Sequence, residues 1–283
     1  MSFNGDLGTL RSYNEQIVRV STANRSNLAD LDTNCTINFQ NVAATGLSKI
    51  IQINLDSICV CNNFRNVPSY ANSFILQWFD GTLHEEPIYI TPGYYDATQL
   101  AALMQTAIQV YIPTATVIYD TTVYRFKFAT NSATGMSLQV NTNQTRFFEN
   151  SFLYNIGANP IGTALELEFT LTNRPALFGA TQIYILSDRL AYSKCTYTRV
   201  VSEALPRYVA SSNINQIFSM GIDVEWGTYQ VYYDQGSARG EIVYPSPIQL
   251  DTFDFKVVDN VGNILEPESN NTPITINFKI KYL

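Results

Sequence analysis

The C-terminal end of the chain alternates strictly between apolar and polar residues. The apolar positions of this run are Ile274, Ile276, Phe278, Ile280 and Tyr282. Successive side chains of a β-strand point to opposite faces, so this period of two predicts a strand with one buried face. Similar runs predict strands at residues 35–39, 51–55, 74–79, 165–171, 182–186, 222–226, 229–233, 241–244 and 253–258. The chain is therefore predicted to be mainly β.

One segment has a helical period instead. Asp96 and Gln99 have the spacing of a capping box, and Pro113 marks the end of the segment. Between them, one helix face is predicted to carry Leu100, Leu103, Met104, Ala107 and Ile108. Short strands are predicted to follow at residues 116–119, 123–128 and 136–140. Residues 85–160 are thus predicted to form an inserted strand-helix-hairpin module.

Outside this module, the chain holds about eight alternating strands without helices between them, which is typical of an antiparallel two-sheet sandwich. We predict a single jelly-roll β-sandwich formed by residues 31–84 and 161–283. Residues 1–30 are polar and irregular, with only a short apolar stretch at residues 17–20. They are predicted to form an extended N-terminal arm.

The charge of the chain argues against nucleic acid as a partner. The formal net charge is −7 at pH 7, and no run of Lys and Arg is longer than a pair. Because phosphate backbones are bound by clusters of cations, we expect no direct nucleic-acid binding. Polar residues such as Gln52, Asp56 and Gln77 interrupt the most apolar windows, so we expect no membrane span. Residues 1–6 do not resemble a secretory signal, which predicts synthesis in a cytosol.

Motifs for catalysis and cofactor binding are missing from the sequence. His84 is the only histidine, so a histidine-based metal site or catalytic triad has too few ligands or partners. The chain contains no G-x-S-x-G, P-loop or G-x-G-x-x-G motif. We therefore expect no enzymatic activity, no bound metal and no cofactor.

Two acidic groups leave alternatives open. Glu166 and Glu168 share one face of a predicted strand, about 7 Å apart, which is a separation that glycosidase carboxylates can have. Three further carboxylates offer oxygen ligands for Ca²⁺, namely Asp251, Asp254 and Asp259. However, Asp251 and Asp254 have opposite parity on a strand and would point to opposite faces. Solvent-exposed carboxylates account for both groups more simply.

A run of aromatic residues near position 230 is the best candidate for a binding surface. Its members are Trp226, Tyr229, Tyr232 and Tyr233. Such rings belong either to the core of the sandwich or to an interface, where they bury a large area at low entropic cost. Only 14% of the residues are charged, which favours a surface covered by neighbours. We therefore predict that these four residues form a subunit interface.

The order of several motifs resembles that of a viral protein family. Residues 92–95, Pro-Gly-Tyr-Tyr, lead into the predicted helix, and residues 152–157, Phe-Leu-Tyr-Asn-Ile-Gly, follow the hairpin. Residues 248–255 and 259–265 then look like the last hairpin of the same fold. From residue 85 to 283 the chain resembles the minor capsid, or penton, proteins of virophages and Polinton-like viruses.

The resemblance implies a structural role in a virus particle. It implies a single jelly roll that forms homopentamers at the fivefold vertices of an icosahedral capsid, beside a double-jelly-roll major capsid protein. The expected location is the virion, after assembly in the host cytoplasm. The arm would contact neighbouring capsomers through Arg11, Arg19 and Arg25. The alternative is a jelly-roll carbohydrate-binding or host-attachment module, with Tyr94 and Tyr95 stacking on a sugar.

Overall fold

The computed structural model describes residues 13–38, 47–130, 135–144, 148–159, 163–177, 179–191, 216–233, 241–260 and 262–283. Its strands are β1 (Asn14–Ser21), β2 (Asn34–Asn38), β3 (Leu47–Cys61), β4 (Ser73–Phe79), β5 (Leu83–Tyr89), β6 (Ala115–Asp120), β7 (Arg125–Thr130), β8 (Met136–Val140), β9 (Glu168–Thr170), β10 (Gln182–Leu186), β11 (Gln216–Gly221), β12 (Tyr229–Tyr233), β13 (Glu241–Leu250), β14 (Thr252–Val258) and β15 (Thr275–Tyr282). Its α-helices are α1 (Ala97–Gln109), α2 (Phe152–Ile156) and α3 (Asp188–Ala191).

The chain divides into two compact units. Unit 1 consists of Met1–Asn63 with Thr181–Leu283, and unit 2 consists of Phe64–Ala180. The predicted module, residues 85–160, lies within unit 2. Unit 2 extends beyond it on both sides because β4 pairs with β5 and β8, and β9 pairs with β7.

Unit 1 is a two-sheet sandwich. Sheet 1 has the order β1-β15-β3-β12, with β13 also paired to β3, and sheet 2 has the order β11-β10-β14-β2. All of these pairs are antiparallel. We number the described strands of unit 1 in chain order and count β12 and β13 as one interrupted strand. Sheet 1 then consists of the first, eighth, third and sixth strands, and sheet 2 consists of the second, seventh, fourth and fifth strands. This is jelly-roll topology, so the predicted fold class is confirmed.

The two sheets of unit 1 pack through large apolar side chains. The rings of Phe253 on β14 and Phe278 on β15 have centroids 5.9 Å apart at 86°. Both side chains are buried. On β3, Ile53 and Leu55 face this core, and a register shift against β15 lets Ile58 and Val60 face it as well. The bulge therefore keeps one face of a 15-residue strand buried along its length.

The predicted arm contains a strand. β1 pairs with β15 from Asn14 opposite Tyr282 to Ser21 opposite Thr275. The side chains of Val18 and Val20 on β1 are buried in the core. Residues 14–21 are therefore part of sheet 1 and not of an extended arm. Two buried valines give too short an alternation to indicate a strand before its partner is known.

Unit 2 contains the predicted helix and hairpin. α1 begins with the predicted capping box, in which the Gln99 N–H donates to Asp96 Oδ1 at 2.8 Å and the Asp96 N–H donates to Gln99 Oε1 at 3.0 Å. The strands form two sheets, β5-β4-β8 and β6-β7-β9. The core of the unit includes Phe74, Leu100, Met104, Ile108, Phe126, Phe128, Leu138 and Phe152.

The strand predicted at residues 165–171 is shorter than its alternation suggests. Only Glu168–Thr170 forms β9, and Leu165 and Leu167 are exposed. Glu166 bridges to Met136 of β8, whereas Phe169 pairs with Phe128 of β7. The segment thus passes from one sheet to the other, which turns its first two leucines away from the core.

Candidate interaction surface

Strand β12 presents a row of large apolar side chains to solvent. Tyr229, Val231 and Tyr233 are 54%, 47% and 66% exposed. They alternate with residues that face inward, because β12 is a regular strand. Trp226, in the preceding turn, is 40% exposed. We call Trp226, Tyr229, Val231 and Tyr233 the aromatic edge.

Of the four aromatic residues predicted at an interface, Tyr232 does not lie on this surface. It is half-buried, and its ring lies 4.7 Å, centroid to centroid, from that of Phe218 on β11. Its position between two outward residues of β12 places it on the inner face of sheet 1. Trp226, Tyr229 and Tyr233 are exposed, whereas Tyr232 packs within the sandwich.

The turn that carries Trp226 is held by Asn62 at the end of β3. The Asn62 side-chain amide donates to the Val224 carbonyl oxygen at 2.8 Å, and its N–H donates to the Thr228 carbonyl oxygen at 2.8 Å. In return, the Asn62 carbonyl oxygen accepts from the Gly227 N–H at 2.7 Å. The strand predicted at residues 222–226 is therefore wrong. Hydrogen bonds to Asn62 and a positive φ of 81° at Gly227 make it a turn.

β12 lies at an edge of sheet 1. Among the strands that the structure describes, it pairs with β3 alone. An edge strand presents unpaired backbone N–H and C=O groups, and natural proteins usually protect such edges with charge, proline or a covering segment. β12 contains no charged residue and no proline. An uncharged edge bearing exposed tyrosines is a surface suited to another polypeptide.

Among the described strands, the opposite edge of sheet 1 is β1. Tyr13 and Ile17 are 53% and 61% exposed there, and Arg19 is exposed on the same face as Ile17. Nearby, Lys279 Nζ lies 2.8 Å from Glu15 Oε1. Lys281 Nζ lies 4.9 Å from the centroid of the Tyr13 ring. This edge combines exposed apolar area with cations.

The three arginines predicted to contact neighbouring capsomers have different positions. Arg11 lies outside the described residues. Arg25 Nη1 lies 2.8 Å from Asp32 Oδ1 and donates to the Thr22 carbonyl oxygen at 3.0 Å, with both charged side chains almost fully buried. Arg25 therefore holds the chain between β1 and β2. Of the three, Arg19 is the one that the structure places on an exposed surface.

The paired glutamates do not form a catalytic arrangement. Glu168 Oε1 lies 2.5 Å from Lys127 Nζ, while Glu166 is joined to β8 through its backbone. Both side chains are exposed. Water therefore reaches both carboxyl groups, whereas the general acid of a glycosidase is typically held in an apolar environment.

The aspartates considered for Ca²⁺ have structural partners. Asp254 accepts from the Arg189 and Asp188 N–H groups and from Ser187 Oγ, at 2.9–3.1 Å. Burial raises the pKa of Asp254, but these hydrogen bonds outweigh it and lower the pKa overall. Asp259 accepts from the Asn263 N–H and side-chain amide. Within the described ranges, no group of three or more His, Cys, Asp or Glu could hold a metal ion.

The single histidine belongs to the β4–β5 hairpin. Its ring stacks on Trp78 at a centroid distance of 4.8 Å, and His84 Nε2 lies 2.9 Å from Asp80 Oδ1. The hydrogen bond with His84 is the main cause that lowers the pKa of the Asp80 carboxyl. This contact closes the hairpin and provides no nucleophile or metal ligand set.

The Pro-Gly-Tyr-Tyr motif forms a turn. The Tyr95 N–H donates to Asn66 Oδ1 at 3.0 Å, and Tyr95 Oη donates to the Thr91 carbonyl oxygen at 2.9 Å. The ring covers Gly93 so closely that a Cβ there would lie 2.7 Å from Tyr95 Oη. Tyr95 is thus committed to the turn before α1 and is poorly placed to stack on a sugar.

Among the described residues, no helix is both long and apolar enough to cross a membrane. No protein family matches the sequence, and no curated protein matches it. The chain is similar to the solved structure of the selenomethionine-labelled mavirus penton protein, with a TM-score of 0.46 and 8% sequence identity. The superposition covers 95% of this chain and 100% of that one.

Proposed function

We propose that this chain is a structural, non-enzymatic capsid protein of the penton type. It forms homopentamers at the fivefold vertices of an icosahedral particle, assembled in the host cytoplasm beside a double-jelly-roll major capsid protein. The observation that carries the proposal is the aromatic edge on a jelly roll. An edge strand with exposed Tyr229, Val231 and Tyr233 is an aggregation hazard for a monomer and a contact surface for an oligomer.

Two further features support the proposal. Jelly rolls are a common architecture of viral capsid proteins, although lectins and other binding proteins share them. The acidic carboxylates that could have carried catalysis or cation binding are engaged in ion pairs, helix contacts and turns. The sugar-binding alternative loses one of its two candidate residues, because Tyr95 is hydrogen-bonded within its own turn.

The test is the mass of the purified protein in solution, measured by light scattering at several concentrations and salt levels. We expect five times the chain mass of 31.8 kDa. Val231→Asp places a charge on the aromatic edge and should yield a folded monomer, because an unpaired buried carboxylate is costly in an interface. The matched control is Val110→Asp, at a valine that is 74% exposed in unit 2, which should leave the mass unchanged.

A wild-type protein that stays monomeric at every concentration and is absent from purified particles would refute the proposal. Specific binding on a glycan array by that monomer would then favour the attachment module. A different closed oligomer would refute the vertex role, because a fivefold vertex requires five identical subunits.

A further inference from the structure

A row of paired residues crosses the outer face of sheet 1 from edge to edge. Arg19 on β1 lies opposite Asn277 on β15, Asn277 lies opposite Ser57 on β3, and Ser57 lies opposite Tyr233 on β12. Directly opposite residues of antiparallel strands share a face. In the middle of the row, the Asn277 side-chain amide donates a hydrogen bond to Ser57 Oγ at 2.7 Å, so these two polar side chains bind each other. An exposed guanidinium stands at one end and an exposed phenol ring at the other.

Both ends of this row are on edge strands. In the part of the chain that the structure describes, β1 pairs with β15 alone and β12 pairs with β3 alone. The two edges belong to the same sheet, and each carries exposed apolar side chains, Ile17 on β1 and Val231 with its tyrosines on β12. A contact between unlike edges leaves one edge of each copy open for the next copy, which is the requirement for a ring.

The residues around the two edges differ in charge. β1 carries Arg19, and the neighbouring strand β15 carries Lys279 and Lys281. Two carboxylates act on Lys279, namely Glu15, which is paired with it, and Asp56. The turn before β12 exposes Asp223 and Glu225, and residues 221–233 contain no Lys or Arg. Like edges would therefore repel one another, whereas unlike edges attract. A guanidinium also binds well against tyrosine rings.

We propose that the aromatic edge of one copy receives the β1 edge of a second copy of this chain, with Arg19 facing the tyrosines of β12. This pairing rests on the proposed function, because it requires a chain that associates with itself. The pairing makes the β1 edge of a second copy the counter-surface, that is, the surface that binds the aromatic edge. In a closed ring every β12 edge and every β1 edge is covered.

The test mixes two variants, each with one blocked edge. Ile17→Asp blocks the β1 edge and Val231→Asp blocks the aromatic edge. We expect each variant alone to be a monomer, and an equimolar mixture to form a 1:1 complex of twice the chain mass. That complex retains one intact contact and cannot extend. Circular dichroism spectra matching that of the wild type establish that both variants are folded.

Two outcomes overturn the pairing. If Ile17→Asp alone keeps the wild-type mass or forms a dimer, the β1 edge is not the counter-surface. If the mixture stays monomeric although both variants are folded, the edges do not bind each other. In both cases a wild-type pentamer would leave the proposed function standing, whereas a wild type that stays monomeric and is absent from purified particles refutes the proposed function itself.

Arg19 provides an independent measurement. Arg19→Glu should weaken self-association on the order of tenfold, and combining it with Glu225→Arg should recover most of that loss. Lys49→Glu is the control, since it reverses an exposed cation outside the row. Equal weakening by Lys49→Glu and Arg19→Glu would mean that only overall charge matters, and would overturn the role of Arg19.

Discussion

The rings of Phe253 and Phe278 meet edge to face between the two sheets of the jelly roll, with centroids 5.9 Å apart. Phe253 is fully buried and also lies edge-on to Phe255, at 6.4 Å. The residues are on neighbouring strands in sequence, β14 and β15, but in opposite sheets. The contact therefore joins the two layers of unit 1.

We expect Phe253→Ala to destabilise unit 1 by about 3–5 kcal/mol, because the substitution leaves a cavity between the sheets. Hydrogen exchange of the β14 and β15 amides measures the loss within this unit. Leu28→Ala is the control, since Leu28 is 76% exposed and its truncation should cost less than about 0.5 kcal/mol. Equal effects of the two substitutions would contradict the packing role of Phe253.

Gly157 ends α2 with a φ of +94°, and a Cβ there would lie 2.2 Å from the Asn173 carbonyl oxygen. Gly157→Ala should therefore lower the free energy of unfolding by more than the strain of a positive φ alone would. Gly81→Ala is a matched control in the same unit, because Gly81 has a φ of +115° but a Cβ at this position would meet no atom within 4 Å.

We expect Gly81→Ala to lower the free energy of unfolding by about 1–2 kcal/mol because of the positive φ. Gly157→Ala should lower it by about 1–3 kcal/mol more because its Cβ is crowded against Asn173. Thermal and chemical unfolding of unit 2 provides the measurement. If the two variants lose similar amounts of unfolding free energy, the close approach of Asn173 does not restrict the side chain at position 157.

Asp254 stabilises the start of α3 as a carboxylate. Its pKa is lowered in the folded state, so its contribution is present above the unfolded value of about 4 and is lost as the pH falls through the folded value. At pH 7, Asp254→Asn should cost about 1 kcal/mol, a modest figure because solvent screens a half-exposed group. The difference from wild type should shrink as the pH falls below about 4.

Unfolding experiments at pH 7 and in the acid range measure this difference. Asp251→Asn is the neighbouring control, since Asp251 is exposed and accepts from the Gln249 side chain. A cost for Asp254→Asn that persists unchanged at low pH would mean that the charge of Asp254 is not the source of the stabilisation.

Local patterns predicted the elements whose signals lie within one segment. The Asp96 and Gln99 capping box and the apolar positions of α1 depend on residues three or four apart, and the structure contains both. The alternation of β15 likewise produces the buried positions Ile276, Phe278 and Ile280. In these elements the burial of each side chain follows from the period alone.

In other segments, contacts with residues distant in the chain decide the structure, and the local sequence pattern does not. Leu165 and Leu167 alternate like core residues but are exposed, because their segment passes between sheets. Residues 222–226 alternate like a strand, yet Asn62 holds them in a turn. β1 contains only two buried valines, and its pairing with β15 reveals it as a strand.

The sequence by itself determined the β class, the jelly-roll prediction and the aromatic run, because alternation and composition are properties of neighbouring residues. Only the tertiary structure decided that β1 and β12 are edge strands within the described part of sheet 1 and that Tyr232 faces inward. Arg19, Asn277, Ser57 and Tyr233 come from four strands and share a row through backbone pairing. Such pairing joins residues distant in the chain, so no local period encodes it.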